Sequence, residues 1–292
     1  MSIHLAHRQG QLNAVFLDHI HHHRAFAHLS TLLREHKPDQ GFNQIDTIQI
    51  KNSKLNDFDY QSLQSIFREC DHLQHIKLQG NDMDCIHAYQ LLAELSDKKL
   101  CTLTFTDNWI GQALCEGFFD FMQQQKQLES INLSLNWLGD EGIIELLKAL
   151  NPNTHRLNLS CNDFYKNGLE AICHYLLCKD HVEEIDISYN NLDEGSAEKI
   201  AVVLKENHSL HKIRINSNHL NSRGCGLIAE SLQYNQGLAS LDISDNSLST
   251  RDAKNLIQSA CASPTLKQLN LRSNGLIRGN LGRWPGHLQV FI

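Results

Sequence analysis

Residues 128–138 read LESINLSLNWL, and three later stretches follow the same template, L-x-x-L-x-L-x-x-N-x-L: 182–192 (VEEIDISYNNL), 238–248 (LASLDISDNSL) and 266–276 (LKQLNLRSNGL). Further copies start at Leu73, Leu100, Thr154 and Leu210, and a degenerate first copy starts at Ile45 with Ser53 in place of the asparagine. Successive template asparagines are separated by 27, 28, 26, 28, 28, 28 and 28 residues. This fixed period predicts a repeat architecture of about nine units.

The chemistry of one unit explains the template. The L-x-L core alternates with a period of two, which predicts a short strand with apolar side chains on one face. The asparagine follows where the chain turns, and its amide can bond backbone groups that the turn leaves open. We therefore expect the asparagines to stack from repeat to repeat as a structural ladder, formed by Asn81, Asn108, Asn136, Asn162, Asn190, Asn218, Asn246 and Asn274.

A helical segment separates consecutive strands. In residues 142–150, GIIELLKAL, apolar side chains recur at helical spacing. Short polar residues near the helix starts (Asp140, Asp193, Ser222 and Thr250) are expected to cap free N–H groups. Parallel strands pack about 4.8 Å apart and helices roughly 8–10 Å apart, so the helices must fan outward. The sequence thus predicts an α/β solenoid of horseshoe shape, with parallel strands on the concave face and helices on the convex face.

These repeats resemble the leucine-rich repeats of the ribonuclease-inhibitor type, which share the 28-residue period, the strand motif and a full helix in each unit. The resemblance covers residues 45–276. It implies the fold of a leucine-rich-repeat solenoid and says little about the partner.

The two ends are expected to cap the repeats. Apolar residues in 12–36 follow one stripe, which predicts an amphipathic helix and an N-terminal helical cap over residues 1–44. Residues 277–292 form the C-terminal cap segment, in which alternating Leu288, Val290 and Ile292 predict either a last short strand or packing over the final repeat. We expect Trp284 to help cover the core there.

Composition narrows the class of protein. Lys plus Arg number 26 against 33 Asp plus Glu, a net charge of -7 that disfavours nucleic-acid binding. The sequence has no apolar run of the roughly 18 residues that a membrane span needs, and its first residues lack the apolar core of a signal peptide. Nine cysteines, an odd number without a C-x-x-C pair, favour reduced thiols. We expect a cytoplasmic monomer that binds neither membrane nor cofactor.

Two groups of residues are candidates for a metal site or for catalysis. His19 and His23 are spaced to share a metal ion on a helix, but no second motif supplies further ligands. Cys161, directly before Asn162, is the cysteine best placed as a nucleophile. The sequence contains no phosphate loop, G-x-S-x-G elbow or H-E-x-x-H motif. The sequence therefore favours a protein that is not an enzyme and has no metal site.

The strand face that points away from the buried leucines is the predicted binding surface. Trp109 and Trp137 each follow a template asparagine by one residue, which places them side by side at one sheet edge. Tryptophan, tyrosine and arginine are frequent hot spots of protein interfaces. Around them we expect blocks of charge, part of which pair across strands. The full set of expected partner contacts is Trp109, Trp137, Arg156, Glu184, Asp186, Tyr189, Lys212, Arg214 and Asp242, with Lys51, Lys77, Asn132, Asn158, Asp245 and Arg272 on the same face.

The leading hypothesis is a non-catalytic module that binds one folded protein on its concave face. The style of the chain, an array rich in His, Asn and Gln, resembles the leucine-rich-repeat effectors of intracellular bacteria such as Legionella, which implies delivery into a host cell without a classical signal peptide. Two alternatives stay open: a GTPase regulator similar to the GTPase-activating protein of Ran, and a recognition subunit of a ubiquitin ligase.

Overall fold

The computed structural model describes residues 2–8, 11–18, 20, 42, 44–112 and 116–292. They form two compact units, residues 1–137 with 149–154, and residues 138–148 with 155–292. The first unit contains strands β1 (Ser2–Arg8), β2 (Gln11–Asp18), β3 (Thr47–Lys51), β4 (His75–Gln79), β5 (Thr102–Thr106) and β6 (Ser130–Asn132). Its helices are α1 (Asp57–Glu69), α2 (Cys85–Ala93) and α3 (Glu116–Gln124), with a 3-10 turn at Ile110–Gln112.

The second unit repeats the same alternation of strand and helix. Its strands are β7 (Arg156–Asn158), β8 (Glu184–Asp186), β9 (Lys212–Arg214), β10 (Ser240–Asp242), β11 (Gln268–Asn270) and β12 (Gln289–Phe291). Its helices are α4 (Gly139–Ala149), α5 (Lys166–Cys178), α6 (Glu194–Glu206), α7 (Asn221–Leu232) and α8 (Thr250–Ala262), and a 3-10 turn follows at Arg278–Asn280. In the first unit, consecutive strands from β2 to β6 pair in parallel. In the second unit, consecutive strands from β7 to β12 do the same.

The core lies between the strands and the helices of each repeat. Leu241 and Ile243 of one repeat are buried, as are Leu256 and Ala260 of the helix that follows. Strand residues alternate between buried and half-buried, so one sheet face carries the core and the other is open to solvent. The predicted fold class, an α/β leucine-rich-repeat solenoid, is confirmed. None of the helices in the described residues is long and apolar enough to cross a membrane.

The template asparagines are hydrogen-bonded between consecutive repeats. The buried Asn190 accepts a bond from the Asn162 N–H at 3.0 Å, and its amide donates to the carbonyl of Leu159 in the preceding repeat at 3.2 Å. Ser53 reproduces part of this pattern, because its hydroxyl accepts from the Ile20 N–H at 3.1 Å and donates to the Lys51 carbonyl at 2.7 Å. These bonds satisfy backbone groups where the strands end, which explains the spacing of the template.

The residue before each ladder position adopts a left-handed backbone. The φ values lie between 49° and 61° in the nine repeats, at Asn52, Gly80, Asp107, Leu135, Cys161, Tyr189, Ser217, Asp245 and Ser273. This conformation costs a non-glycine L-residue roughly 1–2 kcal/mol. The hydrogen bonds of the turn offset that cost at residues as bulky as Leu135 and Tyr189.

The predicted N-terminal helix over residues 12–36 is wrong at its start. Gln11–Asp18 is a strand that pairs antiparallel with β1 and parallel with β3. The alternation of buried Val15 and Leu17 with half-buried Phe16 fits a strand, although the wider apolar spacing also fitted a helix. The hairpin supplies the neighbour that β3 needs on its outer edge. Residues 21–41 lie outside the described residues, so the rest of the helix stays a prediction.

The helix caps follow the prediction at only one of four positions. Asp193 caps α6 as expected, whereas α8 is capped by Ser249 rather than Thr250. Asp140 lies inside α4, and its carboxylate instead accepts the N–H groups of Tyr165 and Gly168 at the start of the next helix, both at 2.8 Å. Ser222 lies inside α7, and its hydroxyl donates to Asp252 at 2.7 Å, so it does not cap that helix. The Asp140 side chain reaches the neighbouring repeat, so it caps α5 rather than its own helix.

The C-terminal segment adds a last short strand. Gln289–Phe291 pairs in parallel with β11, and Leu281 and Leu288 of the same segment are buried. Trp284 is half-buried and lies under the guanidinium of Arg278, 5.3 Å from the ring centre. The strand alternative for this segment is therefore correct.

Candidate functional site

Trp109 and Trp137 lie in the loops that follow β5 and β6 in the first unit. Their exposed fractions are 45% and 58%, and Leu135 beside them is also exposed. The Trp109 N–H donates to the Met83 carbonyl at 2.7 Å, and the Gly111 N–H donates to the Asn136 carbonyl at 2.9 Å. Consecutive loops are thus stacked on one edge of the sheet. We name this edge, formed by Trp109, Leu135 and Trp137, the tryptophan edge.

Close approach of the two loops requires glycine at position 111. A Cβ atom there would lie 2.1 Å from the Trp137 carbonyl oxygen and 2.7 Å from that of Asn136. Both contacts are with backbone, which cannot move aside as a flexible side chain could. Gly111 therefore fixes how near the loop of Trp109 comes to the loop of Trp137.

The backbone of Trp137 is left-handed, with φ of 57°. The equivalent residues that are also left-handed in other repeats are small or acidic: Asp82, Asp163, Ser247 and Gly275. A tryptophan is a poor choice for such a conformation, and local backbone preference does not explain it. A bulky, half-exposed residue kept in an unfavourable conformation is a candidate for function.

Three of the expected partner contacts do not lie on strands. Trp109, Trp137 and Tyr189 are in loops beyond the strand ends. This agrees with the sheet edge expected for the two tryptophans, whereas the placement of Tyr189 is corrected from the strand face to the loop edge. Asp245, three residues after β10, and Arg272, two residues after β11, are corrected in the same way. The template places these residues beside or after the L-x-L core, and the left-handed turn ends the strand before them. Leu135 was not among the expected partner contacts, although a leucine outside the template positions indicates an exposed apolar side chain.

Of the other expected contacts, Lys51, Lys77 and Asn132 lie on β3, β4 and β6 of the first unit. Those on the strands of the second unit belong to two rows. One row is Arg156, Glu184 and Lys212, and the other is Asn158, Asp186, Arg214, Asp242 and Asn270. Lys212 Nζ is 3.5 Å from Glu184 Oε2, and Arg214 is 3.6 Å from Asp186. Charges of opposite sign therefore alternate along each row and pair across strands.

Two of these carboxylates also have a local role. Asp186 accepts the Ser188 N–H at 3.1 Å, and Asp242 accepts both the N–H and the hydroxyl of Ser244 at 3.1 and 2.7 Å. Asn270 donates to the other oxygen of Asp242 at 2.8 Å. The recurring Asn/Asp-x-Ser spacing signals this turn. Much of the charge on the strand face is thus satisfied within the protein.

Cys161, the candidate nucleophile, is not activated. Burial raises the pKa of the Cys161 thiol, and Asp186 raises it further, whereas a nucleophilic cysteine needs a lowered pKa. His19 and His21 to His23 lie outside the described residues. In the part of the chain that is described, no group of three or more His, Cys, Asp or Glu could hold a metal ion.

Comparison with known proteins identifies the repeat. The family model described as Leucine Rich repeat matches residues 126–147 and 151–173. Ribonuclease inhibitor of Sus scrofa is 26% identical over 150 residues, which cover 49% of this chain and 33% of that protein. Ribonuclease inhibitor of Mus musculus is 33% identical over 93 residues, covering 31% of this chain and 19% of that protein. The chain thus spans a third or less of these relatives.

An internalin from Listeria monocytogenes has a similar fold. The TM-score is 0.53 at 16% identity, and the alignment covers 92% of this chain and 81% of the internalin. At this identity the likeness concerns the fold alone. Together with the repeat geometry, these comparisons support a ribonuclease-inhibitor-like leucine-rich-repeat protein.

Proposed function

We propose that this chain is a non-catalytic protein–protein interaction module and that the tryptophan edge anchors its partner. The observation that carries the proposal is Trp137, more than half exposed and held in a left-handed turn. Tryptophan supplies a large, rigid contact area at low entropic cost, which makes it a frequent hot spot. The partner is a folded protein, and the module acts as a monomer.

The strand face of the second unit is proposed to add polar contacts. Its ion pairs are long, at 3.5 and 3.6 Å, and partly exposed, so a partner can exchange them for its own charges at small cost. Such charged groups set specificity and association rate more than affinity. We expect the specificity of binding to depend on Asp186, Arg214 and Tyr189.

The target is proposed to be a host protein, on the basis of the resemblance to bacterial effectors. Support for this step is the composition of the repeat array, which is rich in His, Asn and Gln. Expression in eukaryotic cells followed by capture of bound proteins tests it. A target present only in lysates of a non-host bacterium would contradict it.

The proposal is tested by pull-down from eukaryotic lysate with mass spectrometry. The baits are wild type, Trp109→Ala/Trp137→Ala and the control Tyr234→Ala, which removes an exposed aromatic ring from the helix side of the second unit. The proposal expects a protein captured by wild type and by the control but lost from the double variant. Identical capture by all three baits would refute the tryptophan edge as the anchor.

A further inference from the structure

Two apolar side chains at the starts of α1 and α2 stand out in the first unit. Phe58 is 75% exposed and Ile86 is 62% exposed, the highest values among large apolar residues described in that unit. They are 28 residues apart and are each the second residue of their helix, so they occupy the same position of consecutive repeats. His87 of α2 lies 3.4 Å from Asp57 of α1, which shows that the two helix starts are adjacent.

The fold does not explain either side chain. Capping of α1 is supplied by Asn56 with Asp59, and capping of α2 by Asp84, whose carboxylate accepts the His87 N–H at 2.9 Å. Phenylalanine and isoleucine have lower helix propensity than alanine, and the first turn favours acidic residues. Burial of apolar surface stabilises by about 25 cal/mol per Å², a gain that these exposed positions forgo.

The surroundings of the pair are acidic. Residues 52–67 and 80–90 contain Asp57, Asp59, Asp82 and Asp84, and their one Lys or Arg is Lys54. The side chain of Asp57 is 88% exposed. Asp82 is exposed and makes no hydrogen bond or ion pair with any described residue.

Asp84 stays ionised in this setting. Desolvation acts to raise the pKa of its carboxyl group, but the hydrogen bonds from His87 outweigh it and the pKa is lowered. His87 also stacks on Tyr60, with ring centres 4.2 Å apart, which holds the imidazole between the two helices. Phe58 and Ile86 therefore each lie next to aspartates in their own helix start, and the hydrogen bonds to His87 hold Asp84 in place.

We propose that Phe58 and Ile86, with the rim of Asp57, Asp82 and Asp84, form a docking patch for a cationic amphipathic segment of a protein partner. Apolar side chains of the segment pack on Phe58 and Ile86, and its Lys or Arg side chains meet the aspartates. An anionic membrane surface is disfavoured because the rim repels it. Trp109 pairs through its backbone with Asp84, so the patch adjoins the tryptophan edge. The proposal deepens the proposed function by naming the chemistry of the partner.

The test uses a defined probe and the whole chain. The probe is a fluorescent helical peptide of leucine and lysine with one apolar face, and its controls are a scrambled peptide of equal composition and an analogue with glutamate for lysine. Fluorescence anisotropy measures binding to wild type, Phe58→Ala/Ile86→Ala, Asp57→Asn/Asp82→Asn and Tyr234→Ala. Since each substituted side chain is exposed, all four chains are expected to fold.

The proposal expects the lysine peptide to bind wild type and Tyr234→Ala equally, and to lose at least tenfold in affinity with either of the other variants. Equal binding of all four chains, or of the scrambled and glutamate peptides, would overturn it. Self-association of wild type that Phe58→Ala/Ile86→Ala abolishes would also overturn it, by showing a second copy as occupant. Peptide binding that survives in Trp109→Ala/Trp137→Ala, when lysate capture is lost, separates this inference from the proposed function.

Discussion

Replacing Asn190 with alanine removes one rung of the asparagine ladder. The side chain accepts from the Asn162 N–H at 3.0 Å and donates to three carbonyls, those of Leu159, Ile187 and Ser188, at 3.0–3.2 Å. The buried Asn162 N–H would lose this acceptor at a cost of about 1–3 kcal/mol, and each amide bond lost adds about 1 kcal/mol. Because one amide has only two hydrogens, we expect a total cost of about 3–5 kcal/mol.

Urea unfolding followed by far-UV circular dichroism measures this loss. The control is Asn191→Ala, which removes only an exposed bond to Asp163 and should cost under about 0.5 kcal/mol. Asn190→Ser should fall between the two, because the hydroxyl of Ser53 fills the same position in the first repeat with one accepted and one donated bond. A cost for Asn190→Ala equal to that for Asn191→Ala would refute the ladder as a source of stability.

Three further predictions use the same unfolding assay. Asp140→Ala should cost about 1–2 kcal/mol because α5 loses its cap, whereas Glu141→Ala, which alters an exposed neighbour, should have little effect. Gly111→Ala should cost about 1–3 kcal/mol through its clash with a backbone carbonyl, whereas Gly226→Ala, with open space in α7, should stabilise by about 0.5–1 kcal/mol. Burial raises the pKa of the thiols of Cys70, Cys173 and Cys225 from 9.0 to about 12, so the folded state holds these protons more tightly than the unfolded chain. The associated stability is present below pH 9 and falls as the pH rises toward 12. Urea unfolding midpoints should therefore be lower at pH 10.5 than at pH 8.

The repeats were predictable from the sequence because one hydrogen-bonding residue and one period recur in every unit. A template asparagine satisfies backbone groups of its own and the preceding repeat, so its spacing fixes where each strand ends. The period-two core predicted the open strand face and the cross-strand ion pairs such as Glu184 with Lys212.

Features that no recurring template position marks were not predictable from the sequence. The apolar spacing of residues 12–18 fits either a strand or a helix, and pairing with β3 decides for the strand. Asp140 caps the next helix rather than its own, which only the packing of α4 against α5 determines. The left-handed backbone of Trp137 is not explained by the conformational preference of tryptophan. The exposure of Phe58 and Ile86 was not predicted, because the apolar spacing of a helix does not show which apolar residues stay exposed to solvent.

Calorimetric titration of the partner captured by wild type tests the central claim most directly. The variants are Trp109→Ala, Trp137→Ala and the pair, with Tyr234→Ala as the control and unfolding curves to show that all are folded. If the tryptophan edge is the anchor, each single variant should lose about 2 kcal/mol of binding free energy, roughly 30-fold in affinity, and the pair more. Affinities of the double variant and the control that agree within twofold would contradict the account.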